Sequence, residues 1–128
     1  IANALVLTEV MRYNSAEVPT KMGTFSQYQY PHTLARYAEI GRFVGLTGKN
    51  DQEVFEKLLA KLEDLMRTIE IKPTIKDYGV DEKYFLDTLD DMVEQAFNDQ
   101  CTGANPRYPL MSELKEIYLK AYYGTENK

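Results

Sequence analysis

Val54, Phe55, Leu58, Leu59, Leu62, Leu65, Met66 and Ile69 recur at three- and four-residue intervals. That spacing lines one face of a helix. Lys57, Lys61, Glu63, Asp64 and Arg67 fall largely on the opposite face. A half-buried strand would need strict alternation instead, so this stretch commits the chain to helix-on-helix packing. Asn50 and Asp51 open the helix, and Glu53 stands three past Asn50, in the capping-box position.

The rest of the chain repeats the pattern. Residues 1–13 read as a helix with Ala2, Leu5, Val6 and Val10 inward, its apolar face broadened by Leu7 and Met11. A second helix follows Pro31 and runs to about Val44, with Leu34, Tyr37, Ala38 and Phe43 inward, and stops at Gly45-Leu46-Thr47-Gly48. After Pro73, residues 74–78 suit a single helical turn stopped by Gly79. Asp81 then caps a helix whose apolar face is Phe85, Leu86, Leu89, Met92, Val93, Ala96 and Phe97. Ser112 is expected to cap the last helix, which carries Leu114, Ile117, Tyr118, Ala121 and Tyr122 and stops at Gly124. Strand signals are weak throughout. The expectation is therefore all-α, a single bundle of about five helices. It comprises residues 1–128 as one helical unit, 1–124 ordered and 125–128 a frayed tail.

Composition narrows the function. A length of 128 residues suits a single core. A net charge of −5 argues against a nucleic-acid partner, which would favour a basic face. No apolar run approaches the ~20 residues that span a bilayer. The single cysteine cannot form an internal disulfide, so the cytoplasm is the expected compartment. Ile1 opens directly into an apolar run with no initiator methionine, leader pattern or capping residue, and the chain reads as a fragment of a longer protein. The apolar face of the first helix would then be covered by other parts of that protein, or drive formation of a homo-oligomer through the exposed helix.

Residues 14–31 form a long connection punctuated by Pro19, Gly23 and Pro31, in which Tyr28 and Tyr30 are expected to anchor the loop on the helices. His32, the only histidine, falls in the first turn of the second helix and has no partner at ligand spacing, which disfavours a metal role. Asp87, Asp90, Asp91 and Glu94 form an acidic face without the loop chemistry of an EF-hand, and read as solvated surface.

Residues 99–109, Asp-Gln-Cys-Thr-Gly-Ala-Asn-Pro-Arg-Tyr-Pro, differ from everything else in the chain. Pro106 and Pro109 fix their own φ and push Asn105 and Tyr108 toward extended shapes. A loop of defined shape between helices is a candidate for function, but with no acid–base pair or metal cluster in it, its residue types alone favour a well-made helix-to-helix connection.

Residues 99–115, DQCTGANPRYPLMSELK, resemble the C-terminal signature of iron-dependent alcohol dehydrogenases, closest to the alcohol dehydrogenase half of the bifunctional aldehyde–alcohol dehydrogenases. Ile1-Ala2-Asn3-Ala4-Leu5, Met11-Arg12-Tyr13-Asn14, Phe25-Ser26-Gln27-Tyr28, Arg36-Tyr37-Ala38-Glu39-Ile40, Ile75-Lys76-Asp77-Tyr78-Gly79-Val80 and Ala121-Tyr122-Tyr123-Gly124 agree in the same order. The resemblance implies the C-terminal helical part of an enzyme that reduces acetaldehyde to ethanol with NAD(H) and ferrous iron. It implies an upstream α/β nucleotide-binding domain as partner, and a metal histidine two residues before Ile1. It also implies that Cys101, Thr102, Gly103, Asn105 and Arg107 line the substrate cleft. Cys101 is equally readable as a small packed residue, and Arg107 as a loop anchor or a solvent-facing cation. No catalytic, cofactor-binding or metal-ligating residue is assigned within this chain. The alternative function is a stand-alone helical interaction module without catalysis.

Overall fold

The computed structural model describes residues 1–18 and 32–125. Among the described residues five helices follow one another: α1 (Ala2–Ser15), α2 (Thr33–Phe43), α3 (Asp51–Thr68), α4 (Glu82–Asn98) and α5 (Met111–Tyr123). Short 3-10 turns lie at Lys76–Tyr78 and Thr102–Ala104. Among the described residues there is no strand, and the all-α expectation holds.

The helices pair as α2 with α3 and α4 with α5, and α1 packs on α2, α3 and α5. Each pair has its own apolar core. Met11, Phe55, Leu58 and Leu59 form the first, flanked by Leu34, Tyr37, Leu46 and Leu62. Phe85, Leu89, Val93 and Tyr122 form the second, where the Phe85 and Tyr122 rings stack at 4.2 Å. The Tyr122 hydroxyl donates to the Val80 carbonyl at 2.8 Å, so the ring is buried with its polar end satisfied.

α1 departs from expectation in what it buries. Thr8, Glu9, Met11, Asn14 and Ser15 are buried, whereas Leu5, Val6 and Val10 are only half-buried and Leu7 is exposed. The cause is the company it keeps. Glu9 accepts from Arg12 at 2.7 Å and from the Thr125 hydroxyl at 2.9 Å, and Arg12 reaches Glu63 on α3 at 2.9 Å. Buried polar groups persist where such partners satisfy them. Met11 belongs to the first core and not to an exposed face.

Phe43, expected inward, is 91% exposed. The inward residues of α2 run Leu34, Tyr37, Ala38 and Gly41, and Phe43 lies nearly opposite Gly41 around the helix. A Cβ at Gly41 would stand 2.7 Å from Val54 Cγ1, which shows how closely α2 lies on α3 at that point.

The stripe of α3 also divides. Val54, Phe55, Leu58 and Leu59 are buried, but Leu65 and Ile69 are exposed. α2 has 11 residues and α3 has 18, so at about 1.5 Å per residue α3 outruns its partner by roughly 10 Å. Leu86 of α4 is likewise exposed.

Local signals behave more simply. Asn50 accepts the Glu53 N–H at 2.9 Å and Asp81 accepts the Tyr84 N–H at 2.9 Å. The Glu53 carboxylate takes the Lys49 N–H, one residue earlier than a capping box would place it. Gly79 and Gly124 end their elements with φ of 82° and 92°. Ser112 does not cap α5. Leu110 occupies that position, and the Glu113 carboxylate reaches back to its N–H at 2.8 Å. His32 stands at the N-cap of α2, just outside the helix, without a side-chain capping bond. Tyr28 and Tyr30 lie outside the described residues, as do residues 126–128.

Candidate functional site

The 99–110 loop leaves α4 through a turn of its own making. Asp99 Oδ1 accepts the Cys101 N–H at 2.7 Å, and the Asp99 carbonyl accepts the Thr102 N–H at 3.1 Å. The Thr102 hydroxyl donates back to the Ala96 carbonyl in the last turn of α4. A 3-10 turn follows, with Ala104 N–H on Cys101 O at 3.0 Å and Asn105 N–H on Thr102 O at 3.2 Å. Cys101 is exposed at the head of this turn. Thr102 and Gly103 are half-buried beside it.

Beyond the turn the loop docks on α1. The amides of Asn105 and Asn14 pair both ways, at 2.7 and 3.1 Å, and the same Asn105 amide donates to the Arg107 carbonyl. Arg107 uses its fork: one nitrogen donates to the Tyr13 carbonyl at 2.9 Å and the other to Glu113 at 2.8 Å. Its guanidinium carbon lies 3.8 Å from the centre of the Tyr13 ring. The last carbonyls of a helix lack intrahelical partners and carry its negative dipole end. Arg107 satisfies one of them, and the Ser15 hydroxyl satisfies that of Arg12 at 3.0 Å. Tyr108 packs edge-on against Phe97 of α4 at 6.2 Å.

Glu113 is the hub. It accepts from Arg107, from the Tyr13 hydroxyl at 2.7 Å and from the Leu110 N–H. Burial alone would raise its carboxyl, but the Leu110 N–H, the Tyr13 hydroxyl and Arg107 outweigh it and hold the group below the usual carboxylate range. The Tyr13 hydroxyl is pushed well above its ordinary value, first by burial and then by the bond to Glu113.

Of the residues singled out by sequence, Asn105 and Arg107 are therefore loop anchors, and Cys101 is the accessible side chain. Tyr13, Asn14 and Glu113 complete the arrangement, and nothing local in the sequence gives them a functional role. The signal lay in Met11-Arg12-Tyr13-Asn14 and in the 99–115 signature that contains Glu113, both shared with the resembling family. A cavity of about 270 Å³ opens beside the loop, bounded by Asn14, Ser15, His32, Leu34, Pro106 and Arg107. A larger cavity, about 460 Å³, lies elsewhere, between Leu5, Glu9, Met66, Ile71 and Lys120.

Among the described residues no three His, Cys, Asp or Glu side chains are grouped to hold a metal, so these residues do not fit an iron centre. The acidic face of α4 is engaged locally, Asp87 with Lys83, Asp90 with Lys115 at 2.6 Å and Asp91 with Gln95 at 2.7 Å. No described helix is long and apolar enough to cross a membrane.

Comparison with known proteins gives a consistent result. The model of the Fe-containing alcohol dehydrogenase family, C-terminal, matches residues 1–122. The bifunctional aldehyde-alcohol dehydrogenase AdhE of Escherichia coli K12 is 50% identical over 128 residues, covering 98% of this chain and 14% of that protein. An aldehyde-alcohol dehydrogenase of Clostridium acetobutylicum is 44% identical over 122 residues, covering 95% of this chain and 14% of that protein. An NADPH-dependent butanol dehydrogenase of Clostridium saccharobutylicum is 34% identical over 125 residues, covering 98% of this chain and 28% of its own length. The chain thus spans about a seventh of the bifunctional relatives.

Proposed function

We propose a function from one premise: the chain belongs to the Fe-containing alcohol dehydrogenase family, as its C-terminal helical region. It serves as scaffold and cleft wall in a longer oxidoreductase that reduces acetaldehyde to ethanol with NAD(H) and iron, within a bifunctional fermentative enzyme of the cytoplasm. The observation that carries this reading is the match at 50% identity along nearly the whole chain to a bifunctional aldehyde-alcohol dehydrogenase.

In this reading iron and nicotinamide are held by residues outside this chain, with an α/β nucleotide-binding domain as its partner within the same protein. The loop with Cys101, Thr102, Gly103, Asn105 and Arg107 forms part of the substrate wall, and Cys101 is the lining side chain. Two features support that assignment. A wall residue must be accessible, and the Cys101 thiol is exposed. It must also be held still, and Asn105 and Arg107 tie the loop to α1 and α5.

The test is NADH-dependent reduction of acetaldehyde by the full-length protein loaded with ferrous ion. Turnover is expected there and not with residues 1–128 alone. A full-length protein that folds, binds NADH and reduces no short aldehyde would overturn the reading.

A further inference from the structure

We propose that Tyr13 and Asn14 of α1, with Glu113 of α5, are positioning residues that set the stance of the Cys101 loop and, through it, which alcohols the cleft admits; the second half rests on the cleft reading above.

The loop is tied to the helices around it by specific bonds. Toward α4 they are the Thr102 hydroxyl on Ala96 and the edge contact of Tyr108 with Phe97. Toward α1 they are the two-way Asn14–Asn105 pair, the Tyr13 carbonyl on Arg107, the Tyr13 ring under Arg107, and the Tyr13 hydroxyl shared with the Tyr108 carbonyl at 3.3 Å. Between Cys101 and Asn105 lies a single 3-10 turn closed by two backbone bonds. Pro106 fixes its own φ and restricts Asn105. A shift of Asn105 is therefore passed to Cys101 with little slack.

The amide pair is also selective. Asn14 is buried, and within the pair each amide gives one bond and takes one, while the Asn105 amide gives a second to the Arg107 carbonyl. Truncating Asn14 leaves the Asn105 carbonyl oxygen without that donor, and a half-buried polar group so stranded moves toward water. Glu113 then decides where Arg107 goes, because it holds the other arm of the fork. Side chains remote from a reacting centre control selectivity in this way when they govern the placement of a wall by fractions of an ångström.

The experiment uses the full-length protein carrying Asn14→Ala, Tyr13→Phe or, as a stability control in the second core, Val93→Ala. The first readout is the rate of Cys101 alkylation by iodoacetamide, followed on its own peptide by mass spectrometry. The second is the ratio of kcat/KM for ethanol to that for butan-1-ol. Asn14→Ala is expected to change the alkylation rate by about fivefold, the factor a typical lost hydrogen bond carries. It should shift the alcohol ratio as well. Tyr13→Phe should act in the same direction by a smaller factor, while Val93→Ala lowers Tm and moves neither readout.

If alkylation merely tracks Tm across all three variants, Tyr13 and Asn14 are ordinary packing and the proposal is overturned. If alkylation changes as expected while the alcohol ratio stays fixed, the positioning role stands and the cleft reading falls. Should Asn14→Ala fail to fold, Tyr13→Phe, which removes one oxygen and keeps the ring, decides the matter on the same two readouts.

Discussion

The guanidinium of Arg107 lies over the ring of Tyr13 at 3.8 Å and donates to the carbonyl of the same residue at 2.9 Å. One side chain of the loop thus caps the end of α1 and covers the aromatic residue that presents that end. Arg107→Lys is not conservative here, since an ammonium cannot serve Tyr13 and Glu113 with one planar fork. Arg107→Met is expected to cost about 2–4 kcal/mol, because it leaves the partly buried Glu113 carboxylate without its charge partner and the Tyr13 carbonyl without its donor. Arg107→Met/Glu113→Gln should recover part of that loss. Urea denaturation of the single and double variants measures the coupling.

Stability should respond to pH at this same cluster. The folded Glu113 carboxyl lies below its unfolded value. Its contribution is therefore present above the unfolded value of about 4.3 and lost as pH falls through the folded one. Tyr13 has the opposite sign. Its folded value is raised, so its contribution is intact below about 10 and is lost as pH rises from there through the folded value. Glu113→Gln should flatten the acid limb of a Tm-against-pH profile, and Tyr13→Phe the alkaline limb. An unchanged acid limb in Glu113→Gln would remove Glu113 from the hub.

Gly41 should resist the substitution that usually helps a helix. Gly→Ala within a helix ordinarily stabilises by up to about 1 kcal/mol. Here the new Cβ would meet Val54 Cγ1 at 2.7 Å and the Val54 carbonyl at 3.5 Å. Gly41→Ala is expected to destabilise by about 1–3 kcal/mol, and less in a Val54→Ala background. Chemical denaturation of the two singles and the double gives the answer.

Phe43→Ser should leave stability within about 0.5 kcal/mol of the parent, as befits a side chain that is 91% exposed. A loss of several kcal/mol would return Phe43 to the core.

These residues also show where a sequence discloses a fold and where it stops. Asn50 and Asp81 were readable because a cap depends on an N–H three residues away. Phe43 and Leu65 were not, because both continue an apolar rhythm and differ from their buried neighbours only in what lies opposite. The end of α2 decides for Leu65, and the rotation of α2 decides for Phe43. Glu9 and Asn14 were hidden for a stronger reason. Each is buried against partners 116 and 91 residues away, which no local pattern encodes. The 99–109 loop stood out through its prolines and its cysteine, but its function as a clasp on Tyr13 and Asn14 emerges only when α1 is brought beside it.

The claim that this chain supplies scaffold and wall to an alcohol dehydrogenase, with the reactive centres held by other residues, meets its most direct test in calorimetry. Tag-free chain, residues 1–128, is titrated with ferrous ion and separately with NADH, beside the full-length protein under the same conditions. The account predicts saturable binding by the full-length protein and no saturable binding by the chain. Stoichiometric micromolar binding of either ligand by the chain alone would contradict it.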